Sequence, residues 1–381
     1  MLRFEKEINF IKNHFGNKDF TPLHEPCFSG NEKKYVLETI DSTFVSSVGK
    51  FVDLFEDKIK AYTGAKHAIA VVNGTSALHM SLLLAGVERN DLVITQSLSF
   101  VATCNAISYL GAEPAFVDVD TKTLGLSVEA LEDFLTEVEL KNGKPFHIPT
   151  GKKIGACVPM HTFGFPVEID KIIQLCEVFH IPVIEDAAES LGSTYNEKHT
   201  GTFGLFGTYS FNGNKTITCG GGGIIVTNDD KLGLLAKHIT TQAKIPHRWE
   251  YKHDYIGYNY RCPNLNAALA CAQIEQLEDF ILKKRNTSKV YNEYFNSNEN
   301  IEFIIEPDNS RSNYWLNSIL LKSKEDRDQF LTETNDNGVM TRPVWGLLNK
   351  NIMFEKCYKK SLVNSEWIES RLVNIPSSVI L

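Results

Sequence analysis

The sequence predicts an α/β protein: a large, mostly parallel sheet with helices on both faces, followed by a small C-terminal α+β domain. Three observations lead there. Between about residues 30 and 230, β-branched runs of strand length alternate with amphipathic runs of helix length, the pattern of strands joined by crossover helices. After residue 300 the order changes to strand, helix, strand. The chain has 381 residues, more than one ordinary domain holds. The large domain is expected at 1–260, with an N-terminal arm over 1–30, and the linking helix with the small domain at 261–381.

Within the large domain, 48–62 places Phe51, Leu54, Phe55, Ile59 and Tyr62 at helical spacing and stops at Gly64. A strand follows at 67–72, and Asn73-Gly74-Thr75-Ser76 joins it to a helix over 77–85. Residues 92–95 and 114–117 read as strands around a helix at 101–110. Residues 154–158 and 182–185 are strands flanking a helix at 169–179, while 138–153 is a polar, exposed insertion. Pro263 opens one long helix to about 296. The small domain is expected from strands at 301–305, 315–321 and 339–341 and a helix at 327–334. Ligands of such sheets bind beyond the carboxyl ends of the strands, so chemistry is sought in the loops there.

Composition excludes several classes. Against 39 Lys plus Arg stand 47 Asp plus Glu, a net charge of -8, which lacks the broad cationic surface needed to coat nucleic acid. No apolar run approaches the ~20 residues of a membrane span. Residues 1–6 are charged and lack the apolar core of a signal peptide. The eight cysteines are scattered without a C-x-x-C pair, and they read as reduced, buried hydrophobes rather than a disulfide framework or zinc site. The expectation is a cytoplasmic protein with no metal, no membrane segment and no nucleic-acid partner.

Three constellations carry chemistry. Asn73-Gly74-Thr75-Ser76-Ala77-Leu78 turns from strand into helix, where N–H groups, the helix dipole and hydroxyls favour a phosphate. The same residues make an ordinary N-cap. Val183-Ile184-Glu185-Asp186 ends an apolar strand in carboxylates that suit a metal, a sugar hydroxyl or a protonated ring nitrogen, or simply cap the next helix. Lys215 stands between the strand ending Tyr209-Ser210-Phe211 and the run Gly220-Gly221-Gly222-Gly223. Most lysines sit on solvated faces; a desolvated one forms a Schiff base with a carbonyl. Ser210 adds a further phosphate donor, and Phe100 falls at another strand-to-helix loop, where a ring stacks on a cofactor or fills the core. Together, a phosphate turn, a strand-end aspartate and a lysine supply what pyridoxal phosphate needs.

These residues resemble the DegT/DnrJ/StrS nucleotide-sugar aminotransferases, which have the aspartate aminotransferase fold (PLP-dependent transferase fold type I). The resemblance runs from about Pro22 to Pro376. It rests on Phe44-Val45-Ser46-Ser47-Val48-Gly49-Lys50, Asn73-Gly74-Thr75-Ser76-Ala77-Leu78, Glu185-Asp186-Ala187-Ala188-Glu189-Ser190, Ser210-Phe211-Asn212-Gly213-Asn214-Lys215 and Gly257-Tyr258-Asn259-Tyr260-Arg261. Pro22-Leu23-His24-Glu25-Pro26, Asn313-Tyr314-Trp315-Leu316 and Thr341-Arg342-Pro343-Val344-Trp345 are similar to the LegC/PglE-like subgroup, which aminates UDP-linked 4-keto-6-deoxy-N-acetylhexosamines for bacillosamine- or legionaminic-acid-type surface glycans.

The resemblance implies roles. Lys215 would hold the cofactor and move the proton, Asp186 would face the pyridine nitrogen, and Phe100 would stack on the ring. Gly74, Thr75, Ser76 and Ser210 would cradle the phosphate, with Asn259 reaching the phosphate of a neighbouring subunit in a homodimer with shared active sites. Thr43, Phe44, Val45 and Ser46 would line the substrate pocket, with Trp315 and Arg342 also near substrate. Glu189 stands where many relatives carry Gln or His near the cofactor's 3′-oxygen, and its role stays open. The basic stretch Lys244, His247, Arg248, Lys252, His253 and then Arg261 either faces the nucleotide diphosphate or is a solvated loop. L-glutamate is the implied amino donor and a UDP-linked 4-keto-6-deoxy sugar the implied acceptor, with GDP-4-keto-6-deoxymannose, as in a perosamine synthase, the alternative. A dehydratase of the same fold would carry His in place of Lys215.

Overall fold

Side chains alternate between two apolar faces along each central strand, and this burial on both sides places one sheet through the middle of the large domain. In the computed structural model, which describes residues 2–381, its strands run in the order His67–Val71, Gly223–Thr227, Phe206–Ser210, Ile184–Asp186, Ile154–Val158, Leu92–Gln96 and Glu113–Val117. Single parallel bridges, Cys157 to Val183 and Met160 to Asp186, join its two halves. Neighbours are parallel except at Gly223–Thr227, which is antiparallel to the strands on both sides of it.

Ala68, Ala70, Ile224 and Val226 face the helices Lys50–Thr63, Asn264–Ile274 and Leu277–Phe295. Ile69, Val71 and Ile225 point the other way, onto Gly74–Leu84, Val101–Tyr109 and Asp230–Thr240. At the far end, Ile94, Ala115 and Cys157 pack with the helices Val128–Leu135 and Ile169–Val178. Each fully buried large apolar side chain contributes roughly 1.5–3 kcal/mol. Helix Lys50–Thr63 buries Phe51, Phe55 and Ile59, and ends where Gly64 takes the left-handed conformation at φ 76°.

The structure departs from the sequence expectations in four places. The stretch expected as one helix over 263–296 breaks between Asn264–Ile274 and Leu277–Phe295. There the Gln276 N–H bonds the Gln273 carbonyl, and its side chain turns to Ser29 and Glu32, each at 2.6 Å. Residues 138–153 contain an antiparallel hairpin of Val138–Lys141 and Lys144–His147. Its tip is exposed, but its base is anchored by buried His147, stacked on Phe134 at 4.9 Å. The small domain is an antiparallel sheet in the order Ile301–Phe303, Asn317–Leu321, Leu372–Ile375 and Arg342–Pro343, packed with helix Lys324–Asp336. Residues 339–341 supply only a bridge from Val339 to Thr21, and Leu372–Ile375, unforeseen, takes an inner position.

The fourth departure is the N-terminal arm, expected with the large domain. Its helix Glu5–His14 belongs to the small domain's core: Phe4, Ile8, Ile11 and Phe15 pack with Tyr291, Phe295, Ile319 and Phe330. Among the described residues no helix is long and apolar enough to cross a membrane, and no group of three or more His, Cys, Asp or Glu could hold a metal ion.

Candidate active site

The carboxyl ends of His67–Val71, Ile184–Asp186 and Phe206–Ser210 meet at a cavity of about 340 Å³, closed on one side by Trp315 and Trp345 from the small domain. Each of its walls has a local cause in the sequence.

One end is built for an anion. Asn73 is extended and caps helix Gly74–Leu84, its side-chain oxygen accepting the Ser76 N–H at 2.8 Å. The N–H groups of Gly74 and Thr75 have no partner within the helix, because a first turn supplies none. A Cβ on Gly74 would lie 2.9 Å from the Ser210 Cβ, so the glycine draws the helix start against the end of the strand carrying Ser210. The glycine run serves the same contact from below, since a Cβ on Gly223 would come within 2.3 Å of the Asn73 carbonyl oxygen. Gly74, Thr75 and Ser210 line the cavity. Ser76, expected in the cradle, does not: it is buried and its N–H is already bound by Asn73.

Asp186 forms part of the floor. Its side chain is buried, with Oδ2 accepting from Thr103 Oγ1 at 2.7 Å and Oδ1 from the Ala188 N–H at 3.2 Å. Burial pushes its carboxyl above the ordinary range, against the pull of those hydrogen bonds and of Lys215. Phe100 caps helix Val101–Tyr109 with its ring half exposed in the cavity, tilted against Trp345 at 6.1 Å.

Lys215 enters from the loop after Ser210. Its Nζ lies 3.1 Å from Glu189 Oε1 and 4.1 Å from the centre of the Trp315 ring. Trp315 is itself fixed by donating Nε1–H to the Asn214 carbonyl at 2.7 Å. Glu189 accepts the Phe163 N–H on Oε2 at 2.9 Å, and burial pushes its carboxyl up to about 7, with the Lys215 cation opposing the rise.

Of the residues expected to bind substrate, Trp315 alone lines this cavity. Thr43, Phe44, Val45 and Ser46 form an exposed loop, tied down by Asn264, which donates to the carbonyls of Phe44 and Ser46 at 2.6 Å each. Lys244 and Arg248 sit on an exposed excursion, Lys244 over the Tyr251 ring at 4.1 Å and Arg248 near Trp249 at 5.6 Å. Arg261 turns to Asp53 at 3.5 Å. Arg342 bonds Asn335 at 3.0 Å on the surface of the small domain, held there by its place on an edge strand. Asn259 is exposed and outside the cavity.

Sequence reasoning missed Thr103, Phe163 and Trp345. Trp345 stood in a motif already singled out; Thr103 and Phe163 act on carboxylates 83 and 26 residues away, which no local pattern announces. The donor set fits pyridoxal phosphate: N–H and hydroxyl donors at one end, a buried carboxylate for the ring nitrogen, and an amine between them.

Comparison with known proteins agrees. The family model of the DegT/DnrJ/EryC1/StrS aminotransferases matches residues 26–381. The chain is 38% identical over 358 residues to a GDP-perosamine synthase of Escherichia coli O157:H7, covering 94% of this chain and 93% of that one. It is 34% identical over 361 residues to a GDP-perosamine synthase of Vibrio cholerae, with 93% of each covered. Among solved structures, a DegT DnrJ EryC1 StrS aminotransferase from Brucella abortus superposes with a TM-score of 0.83 at 25% identity, over 99% of this chain and 93% of that one. The aminotransferase TlmJ from Streptoalloteichus hindustanus gives 0.85 at 24% identity, over 94% and 93%, and shares the fold. With the cavity's donors and these relatives in agreement, the chain belongs to the DegT/DnrJ/EryC1/StrS aminotransferase family and is a pyridoxal phosphate-dependent sugar aminotransferase of fold type I.

Proposed function

We propose that the protein moves an amino group from L-glutamate to C4 of a GDP-linked 4-keto-6-deoxy sugar, with GDP-4-keto-6-deoxymannose the favoured acceptor. The observation carrying the nucleotide is the kinship with three GDP-perosamine synthases, at 34–38% identity over most of the chain. A UDP-linked N-acetylhexosamine, suggested by the wording of residues 22–26, 313–316 and 341–345, is the second reading.

Bound pyridoxal phosphate supplies an aldehyde that condenses with amines and a ring that draws electrons from the adjoining carbon. Everything else falls to the chain. Gly74, Thr75 and Ser210 hold the phosphate. Asp186, buried and in need of a cation, keeps the ring nitrogen protonated, while Thr103 fixes the carboxylate's direction. Phe100 covers one ring face. The Lys215 amine would bond the aldehyde carbon, and the same amine would carry a proton to and from C4 of the sugar.

Asn259, the 43–46 loop and the Lys244–Arg248 excursion serve the neighbouring subunit's cavity in a homodimer. In support, all three are exposed, and Trp249, Tyr251 and Ile256, in and just beyond the excursion, are 69%, 81% and 80% exposed. The test is a panel of GDP-, UDP- and dTDP-linked 4-keto-6-deoxy sugars assayed with glutamate. A kcat/KM about tenfold or more in favour of the GDP sugar supports the first reading. The reverse order supports the UDP reading, and no amination of any sugar overturns both.

A further inference from the structure

Of the ionisable groups lining the cavity, Glu189 alone has no part so far, yet both its oxygens are committed. Oε2 is held by the Phe163 N–H at 2.9 Å, and Oε1 faces the Lys215 amine at 3.1 Å. Phe163 takes the left-handed region at φ 56°, with its ring packed against Trp345 at 4.9 Å, so backbone and packing together aim this donor. The Glu189 side chain is 1% exposed and that of Lys215 13%. In such surroundings separate charges are poorly solvated, and a neutral amine beside a carboxylic acid approaches the ion pair in energy.

The other titratable groups near the pair are Asp186, already satisfied by Thr103 and Ala188, and His24, which burial first and then the Lys284 and Lys215 charges push toward the neutral form. The Trp315 ring favours the lysine cation, and the buried carboxyl, raised to about 7, favours giving Glu189 the proton.

We propose that Glu189 is the proton acceptor for Lys215. An N–H bond of the Lys215 ammonium breaks and an O–H bond forms on Glu189, leaving the amine neutral with its lone pair free; one proton moves, no electrons leave the pair, and the transfer reverses along the same contact. This rests on Lys215 being the reacting amine. A salt bridge that merely fastened the loop would leave Lys215 a cation.

The test mixes the full-length chain, freed of cofactor, with pyridoxal phosphate and follows growth of the visible absorbance band by stopped flow from pH 5 to pH 10. A pair sharing one proton titrates in two steps. The expected wild-type rate therefore shows two inflections with a plateau between them, whereas Glu189→Gln shows a single titration, falling about tenfold per pH unit below its midpoint. Identical profiles for the two proteins overturn the role of Glu189. If the variant does not fold, the wild type decides alone, since a single inflection in it overturns the proposal as well. A wild-type chain that never develops the band overturns the assignment of Lys215, and this inference with it.

Discussion

Gly74 and Ser210 approach so closely that a Cβ on Gly74 would stand 2.9 Å from the Cβ of Ser210. The start of helix Gly74–Leu84 and the end of strand Phe206–Ser210 thus share one small space, and the donors proposed for the phosphate converge because one partner has no side chain. Gly74→Ala forces that contact apart at a cost of about 1–3 kcal/mol. The expected result is a cofactor Kd raised roughly tenfold or more, read by titrating the visible band, with the far-ultraviolet spectrum unchanged.

Asp186 is expected to act on rate more than on binding. Asp186→Asn keeps the shape and the Thr103 contact but removes the charge proposed to hold a proton on the ring nitrogen. Cofactor binding should survive while turnover falls roughly a hundredfold or more. Unchanged steady-state kinetics would remove Asp186 from this part.

Lys284 offers a prediction away from the site. It is fully buried, donates to the Ser377 carbonyl, and burial lowers it from 10.5 to about 7. The unfolded chain keeps this proton up to about pH 10.5 and the folded chain releases it near 7, so between those values the unfolded state binds more protons. Stability from this group therefore rises with pH across that window, by at most of the order of 5 kcal/mol. Lys284→Met should abolish that rise: melting curves at pH 7 and pH 10 should show the variant gaining on wild type at pH 7 and losing the advantage at pH 10.

How far the sequence led is clear from particular residues. Gly74, Thr75, Asp186, Ser210 and Lys215 were legible because each sits in or beside a strand-end loop, where turn chemistry and period mark the place. The contacts that tune them were not: Thr103 with Asp186 spans 83 residues, Phe163 with Glu189 spans 26, and Asn313 with the Glu189 carbonyl spans 124. The same holds for the helix break at Gln276, whose partners Ser29 and Glu32 lie more than 240 residues away in sequence. Charge runs gave composition without direction, so the sequence did not reveal that Arg261 turns to Asp53 and Arg342 to Asn335.

The proposed sharing of sites between subunits has its own consequence. Lys215→Ala should be inactive because its own cavity lacks the amine, and Asn259→Ala should be impaired because its partner's cavity lacks a phosphate contact. Mixed and allowed to exchange subunits, the two variants should show more activity than the sum of the two measured apart, through dimers holding one intact site. No recovery in a mixture shown by native mass spectrometry to contain hybrid dimers would remove Asn259 from the neighbouring site.

Amino transfer through Lys215 to a keto sugar nucleotide is the reaction proposed for this cavity. It is tested most directly by supplying glutamate and GDP-4-keto-6-deoxymannose to the cofactor-loaded protein and measuring 2-oxoglutarate and amino sugar together. One 2-oxoglutarate for each amino sugar is expected in the wild type, and neither product with Lys215→Ala. Amino sugar formed at an undiminished rate by Lys215→Ala would contradict it.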